Sequence, residues 1–313
     1  LASLRSNLPN LDWSEVQQGE ITYLEMPPLE TEPAAIAVLF AAQVNGGLGA
    51  VLQQLQQPLP DTFTLPIDVS SPETIRRSLQ PFTVAAGDDI NMRWFRNPSA
   101  DGTYNVNTAE LGLLQQAAAE LRAEPKDLEP LNDAIREFFA RRVEAYVKQG
   151  LAGIESYDID GKQVAAGDYL AGSLQPLQVV SKLEPGFYQA FLEYPQLEAG
   201  STDKSPYQHH FFLVVENDNG QRITSLRHWM LEQRDNSALI AERKFYISHS
   251  LDAMHTLIYI EQAADDRSYV VLSNTTFTQK VTGMGQFIAH KVGRAKIETT
   301  IRPMLVSLQN AFR

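Results

Sequence analysis

The sequence predicts an α+β protein: a curved antiparallel sheet with a long C-terminal helix laid across it and a helical insertion before the sheet. Three observations carry this reading. From His209 to Thr278, four or five short alternating stretches are separated by turn residues. From about Gly285 to Phe312, apolar residues recur at helical spacing. Between 108 and 195 the pattern is mainly helical. The chain of 313 residues reads as one domain, 1–313, in which 108–195 is the insertion and 209–313 the meander with its terminal helix.

Taken in order, Glu20 to Met26 alternates loosely and is stopped by Pro27-Pro28. Ala34 to Val44 is an apolar run with the look of a buried strand, and Asn45-Gly46-Gly47 breaks it. Leu48 to Gln56 has helical spacing. Ser70-Ser71-Pro72-Glu73 supplies a serine cap, a first-turn proline and an acid at the positive helix end, so a short helix runs to Leu79. Asp89 to Phe95 is read as a strand. Thr108 is placed as the cap of a helix that Pro125 ends. Leu128, Leu131, Ile135, Phe138, Phe139, Val143, Tyr146 and Val147 form the apolar stripe of the next helix, which stops near Gly150. Residues 164–174 and 186–194 are shorter helices, and Gly200 to Pro206 is a linker.

The meander is clearer. Phe211 to Val215, Ile223 to Glu232, Arg243 to Ser250, Met254 to Gln262 and Ser268 to Thr275 are strands, and Asn217-Asp218-Asn219-Gly220 is a hairpin turn. On the second strand Thr224, Leu226, His228 and Met230 share a face. His228 and His249 are expected together on the helix-facing side of the sheet. Pro303 is expected to kink the terminal helix.

Composition excludes several classes. Hydrophobic residues make up 43% and charged residues 20%, as in a globular protein. The formal net charge of −12 argues against nucleic acid and against a polybasic membrane contact. With no cysteine, disulfides, thiolate catalysis and cysteine-based zinc sites are absent. No apolar run approaches the length of a membrane span; the longest, Ile36 to Val44, is interrupted by Gln43. The chain opens Leu1-Ala2-Ser3 without methionine, so a trimmed N-terminus is expected.

Motifs for chemistry are weak. Asn45-Gly46-Gly47-Leu48-Gly49 lies where a dinucleotide-binding loop would, with Asp68 about where a ribose contact belongs, but Leu52 replaces the third glycine and no strand–helix alternation follows. A glycine-rich strand-to-helix turn is the better reading, and no cofactor is assigned. Five of the histidines, His209, His210, His228, His249 and His255, fall in the meander and His290 in the helix, yet none has zinc-ligand spacing, so no metal is assigned. Ser248-His249-Ser250 lacks a nucleophile elbow. Asp265-Asp266 and Asp88-Asp89 read as turn acids. Aromatic and methionine side chains are dense after residue 210, which suits an apolar ligand as well as an ordinary core.

Lys244-Phe245-Tyr246-Ile247-Ser248-His249-Ser250, Tyr269-Val270-Val271-Leu272-Ser273-Asn274, Gly283-Met284-Gly285 and Gly293-Arg294 resemble a bacterial, often exported protein family with no assigned activity. Its members carry a similar Tyr-x-x-His strand, a strand ending in asparagine and a basic terminal helix; Thr275 and Thr276 stand where that family has basic residues. Arg227-His228, Gln18-Gly19-Glu20, Ala145-Tyr146 and Gly150 fit its looser pattern. The order of elements also resembles the START-like helix-grip fold, whose members hold lipids, sterols or aromatic compounds between sheet and terminal helix.

The resulting expectation is a periplasmic or secreted binder or carrier of a hydrophobic small molecule (lipid, sterol-like or aromatic), with a cytoplasmic location left open. Its wall is expected to comprise Leu226, His228, Met230, Tyr246, His249, Tyr259 and Asn274 from the sheet, with Met284, Phe287 and Ile288 from the helix. A one-residue slip of register would exchange this set for its neighbours. No catalytic residue is assigned. The competing readings are a hydrolase or isomerase with His228 or His249 as general base, and an interaction protein without a pocket.

Overall fold

The computed structural model of the chain describes residues 2–26, 34–58, 61–84, 90–100, 103–159, 161–172, 184–195, 206–218, 221–263, 266–282 and 286–313. The N-terminal part holds α1 (Ala2–Asn7), α2 (Trp13–Gln17), β1 (Thr22–Glu25), β2 (Ala35–Val44), α3 (Leu48–Leu55) and β3 (Phe63–Ile67). Helices α4 (Pro72–Leu79), α5 (Ile90–Arg96), α6 (Thr108–Ala123) and α7 (Glu129–Gln149) follow. A small hairpin, β4 (Tyr157–Ile159) and β5 (Lys162–Val164), precedes α8 (Ala166–Gly172) and α9 (Pro185–Glu193). The meander is β6 (Gln208–Asp218), β7 (Gln221–Gln233), β8 (Ser237–Ile247), β9 (Ala253–Gln262) and β10 (Ser268–Phe277), and α10 (Gln286–Asn310) ends the chain.

The fold is α+β, with a large antiparallel sheet and a long C-terminal helix. Among the described residues the sheet has eight strands in the order β1-β2-β10-β9-β8-β7-β6-β3, and every neighbouring pair is antiparallel. A doubly wound parallel sheet, which the dinucleotide reading needs, is not what these strands form. The N-terminal strands close both sides of the meander: β2 pairs with β10 and β3 with β6. Every residue of β10 and nearly every residue of β2 is buried, because both faces of the sheet are covered.

One face carries Val38, Phe40, Ile240, Ile260, Val270 and Leu272 under α3 and the later turns of α10, where Ile301, Leu305 and Leu308 pack. The opposite face carries Leu39, Met230, Leu239, Leu257, Tyr259 and Val271 under α1, α2 and α9. Farther along that face, Leu213, Leu226, Phe245 and Tyr246 lie under α4 to α8. The sheet is therefore the middle layer of three.

Helix starts follow local chemistry. In α4, Ser71 and Thr74 form a reciprocal capping box, with proline in the first turn. In α6 the cap is Asn107, not Thr108, because the Asn107 side chain reaches the Glu110 amide while the Glu110 carboxylate reaches back. The expected strand over Asp89 to Phe95 is helix α5. Its described part buries Asn91, Met92, Trp94 and Phe95 and exposes Arg93 and Arg96, a helical repeat. Strand β8 also begins earlier than the sequence indicates and ends at Ile247, so His249 lies in the turn beyond it, beside Ser250 at φ +76°.

Candidate functional site

Between the second face, residues 81–84 after α4, and helices α5 to α7 lies a cavity of about 390 Å³. Phe82, Phe95, Tyr104, Phe138, Phe139 and Tyr246 give it aromatic walls; Val106, Leu114 and Ile135 add aliphatic ones. Phe63, 45% exposed, marks the mouth, where Asp61, Asn217 and Arg222 also line it. The long α7 supplies the deepest wall because Ile135, Phe138 and Phe139 lie on its buried stripe. It is held in place by a buried ion pair: Arg142 donates from Nε and Nη2 to the two carboxylate oxygens of Glu110 on α6, each at 2.7 Å.

Tyr246 reaches this wall through a β-bulge. The β7–β8 register shifts between Leu226 and Arg227, leaving Phe245 without a cross-strand partner. Phe245 and Tyr246 can thus both bury their rings: Phe245 stacks on Tyr146 at 4.2 Å, and Tyr246 meets Phe138 edge-on at 5.1 Å. Burial pushes the Tyr246 phenol well above its ordinary range, so it stays neutral.

Behind the wall His249 is a brace. Its Nε2 donates to the Arg222 carbonyl at 3.1 Å, its Nδ1 pairs with Ser250 Oγ at 2.8 Å, and its ring meets Tyr104 edge-on at 5.6 Å. Asn91 Nδ2 donates to the same Arg222 carbonyl at 3.0 Å. These bonds tie α5 and the β8–β9 turn to the start of β7.

A second polar cluster lies under α9. Arg243, fully buried, donates from Nη1 to the Tyr146 hydroxyl at 2.8 Å, from Nε to His255 Nε2 at 3.0 Å and from Nη2 to the Phe191 carbonyl at 2.8 Å. Arginine only donates, so the Tyr146 proton points to His228 Nδ1, 2.7 Å away. His228 Nε2 then donates to His209 Nδ1 at 2.8 Å. Burial first, with Arg243 adding to it, holds His228 and His255 well below the ordinary histidine range, so both are neutral. His228 has both ring nitrogens engaged and no exposure, so a substrate cannot reach it as a general base without opening the core.

The expected wall is divided between two faces. Leu226, His228, Met230, Tyr246 and Tyr259 face away from α10, by the strand alternation and the cores they join. Asn274 is on the α10 side, where its Nδ2 donates to Thr256 Oγ1 at 3.0 Å. Ile288 is 69% exposed on α10. Met284 and the side chain of Phe287 lie outside the described residues. His228 and His249 do not share a cluster: one is under α9, the other braces the cavity. Among the described residues of that set, Tyr246 alone lines the cavity. The residues missed are Phe82, Phe95, Tyr104, Phe138 and Phe139; the adjacent Phe138-Phe139 in the helical stripe was the signal for a wall facing a sheet.

On the other face, Glu216 sits 2.7 Å from Arg227 Nη2, at an angle poor for a hydrogen bond, and 3.4 Å from Lys244 Nζ. Burial alone would raise its carboxyl; Lys244 and Arg227 outweigh it and hold it at about 2, against an ordinary 4.5. A depressed carboxyl pKa stabilises the fold above the ordinary value, and that contribution is lost as pH falls toward the folded one. Glu216→Gln is therefore expected to cost about 2 kcal/mol near neutrality, with the wild-type advantage disappearing between about pH 4.5 and 2. Urea melts of both proteins across that range check this; a difference independent of pH would contradict it.

No protein-family model, curated protein or solved structure matches the chain. Among the described residues no helix is long and apolar enough to cross a membrane. The site is thus defined by its own geometry: an aromatic cavity between one sheet face and a helical layer.

Proposed function

We propose that this protein binds and carries a small, largely apolar molecule in the cavity between the sheet and helices α5 to α7. The observation that carries the reading is the cavity itself. Its volume falls within the range of roughly 300–1,000 Å³ usual for small-molecule sites. Aromatic and aliphatic residues together make up more than half of its described lining, and polar residues, among them Asp61, Asn91, Asn217, Arg222, Thr224 and Ser248, make up the rest. Apolar walls supply affinity by removing ligand surface from water, and the polar groups orient the ligand.

The arrangement is read as a variant of the helix-grip principle, in which a curved sheet and a helix hold the ligand between them. Here α7 takes the gripping role that the resemblance gives to the terminal helix. Kinship with the often exported bacterial family, and with it a location outside the cytoplasm, remain part of the proposal; cell fractionation tests the location.

Native mass spectrometry of gently purified protein, followed by displacement of 1-aminoanthracene, tests the function. Binding on the order of micromolar is expected. Phe138→Trp, whose larger ring narrows the cavity, should weaken binding while the circular dichroism spectrum is retained. Absence of any co-purifying apolar molecule together with no dye binding would overturn the proposal, as would undiminished dye binding by the tryptophan variant.

A further inference from the structure

The rim of the cavity carries a cation, Arg222, for which the described residues supply no ion pair. Arg222 lies on β7 two residues before Thr224 and four before Leu226, so its side chain emerges on the cavity face. Its backbone is fixed twice over, the carbonyl accepting from Asn91 and His249. The residue is exposed, and no carboxylate pairs with its guanidinium among the described residues. Its cross-strand neighbour on β6 is Asn217, which is uncharged.

Among the described residues at the cavity, two are acidic, and only one of them directs its carboxylate toward it. Glu216 alternates to the opposite face, where Arg227 and Lys244 neutralise it. Among the described residues, Asp61, in the turn before β3, is the acid at the mouth, and no ion pair joins it to Arg222. A ligand seated with its body among Phe95, Tyr104 and Phe138 has one end at this mouth. A neutral ligand would leave the guanidinium in water; an acid would meet a planar fork of donors matched to carboxylate geometry. We infer that the ligand is a hydrophobic carboxylic acid, its apolar body in the aromatic cavity and its carboxylate on Arg222.

This rests on the cavity being a binding site, and the test separates the two claims. The probes are 2-naphthoic acid, 2-naphthamide and 2-ethylnaphthalene, titrated calorimetrically into the intact protein at pH 7. The acid is expected to bind roughly five- to tenfold more tightly than the amide at low salt, the increment of one charge-assisted contact at a solvated rim. Added salt should shrink that margin. Arg222→Gln should bring acid and amide to within about twofold of each other with the hydrocarbon unchanged, and Arg222→Lys should restore part of the preference because a point charge replaces the fork. Arg222 is exposed, so melting temperatures should be unaltered.

If the amide and hydrocarbon bind but the acid shows no preference, or the preference survives Arg222→Gln, the acid inference is overturned and the cavity reading stands. If none of the three binds, both fall.

Discussion

Gly150→Ala is expected to destabilise the protein by more than about 4 kcal/mol, enough to leave much of it unfolded at physiological temperature. Gly150 ends α7 at φ +60°, ψ −133°, a region that side chains with a β-carbon avoid. Space is the larger obstacle. A Cβ there would sit 1.8 Å from the Tyr194 carbonyl oxygen and 2.9 Å from its carbon, and backbone cannot step aside as a flexible side chain can. Tyr194 in turn lies 4.5 Å from the His228 ring and 5.7 Å from that of Tyr146, so displacement at Gly150 reaches the buried relay. Gly161→Ala is the control: φ is +73°, yet nothing lies within 4 Å of its Cβ, so only local strain of about 1 kcal/mol is expected. Urea denaturation of the two variants checks the contrast; comparable losses would mean that conformation, not the close approach of Tyr194, is what Gly150 provides.

Gly150 also shows how far the sequence could be read. A helix stop was visible there, since the apolar stripe of α7 ends at that residue; the carbonyl packed against it, 44 residues later, was not. The meander was legible because strand alternation is a local pattern. The beginning of β8 was missed because Ser237 to Glu242 includes two alanines and a glutamate, residues that do not favour strands. That error placed Arg243 at a strand edge instead of deep in the sheet. Helix α5 was missed because seven residues contain too few turns for period 3.6 to separate from period 2.

The expected wall and the proposed cavity differ for another reason. The sheet carries apolar residues on both faces, and strand alternation cannot say which face a distant helix covers. One signal was available. Ala34 to Ala42 and Tyr269 to Leu272 are continuous apolar runs, which mark strands covered on both sides. Two covering layers follow from that. The described part of the helical stretch 108–195 contributes to the second layer, and its Phe138-Phe139 pair has a sheet face to look at. What remained illegible is the chain path that brings β3 to the edge and the cavity beneath it.

Arg243→Ala is expected to cost roughly 4 kcal/mol, the sum of a cavity left by a long buried side chain and three acceptors deprived of their donor. The argument must meet an opposing effect. Burying a guanidinium is costly, and replacing buried charge by apolar side chains is often neutral or better. Here the charge has no carboxylate partner among the described residues; its compensation is the fork of hydrogen bonds to Tyr146, His255 and Phe191, with the Phe191 ring 4.2 Å from the guanidinium carbon. Arg243→Met separates the terms. Methionine refills much of the volume and removes the desolvation cost, so its loss isolates the orphaned acceptors, and about 2 kcal/mol is expected. The direction of the relay supplies a second readout. With Arg243 gone, the Tyr146 hydroxyl no longer has its oxygen claimed by a donor, and His228 is free to turn its proton toward it. Nitrogen chemical shifts of His228 should then report a mixture of tautomers where the wild type shows Nε2–H alone. A methionine variant as stable as wild type, with the His228 tautomer unchanged, would show that the guanidinium neither supports the fold nor orders the chain of hydrogen bonds beside it.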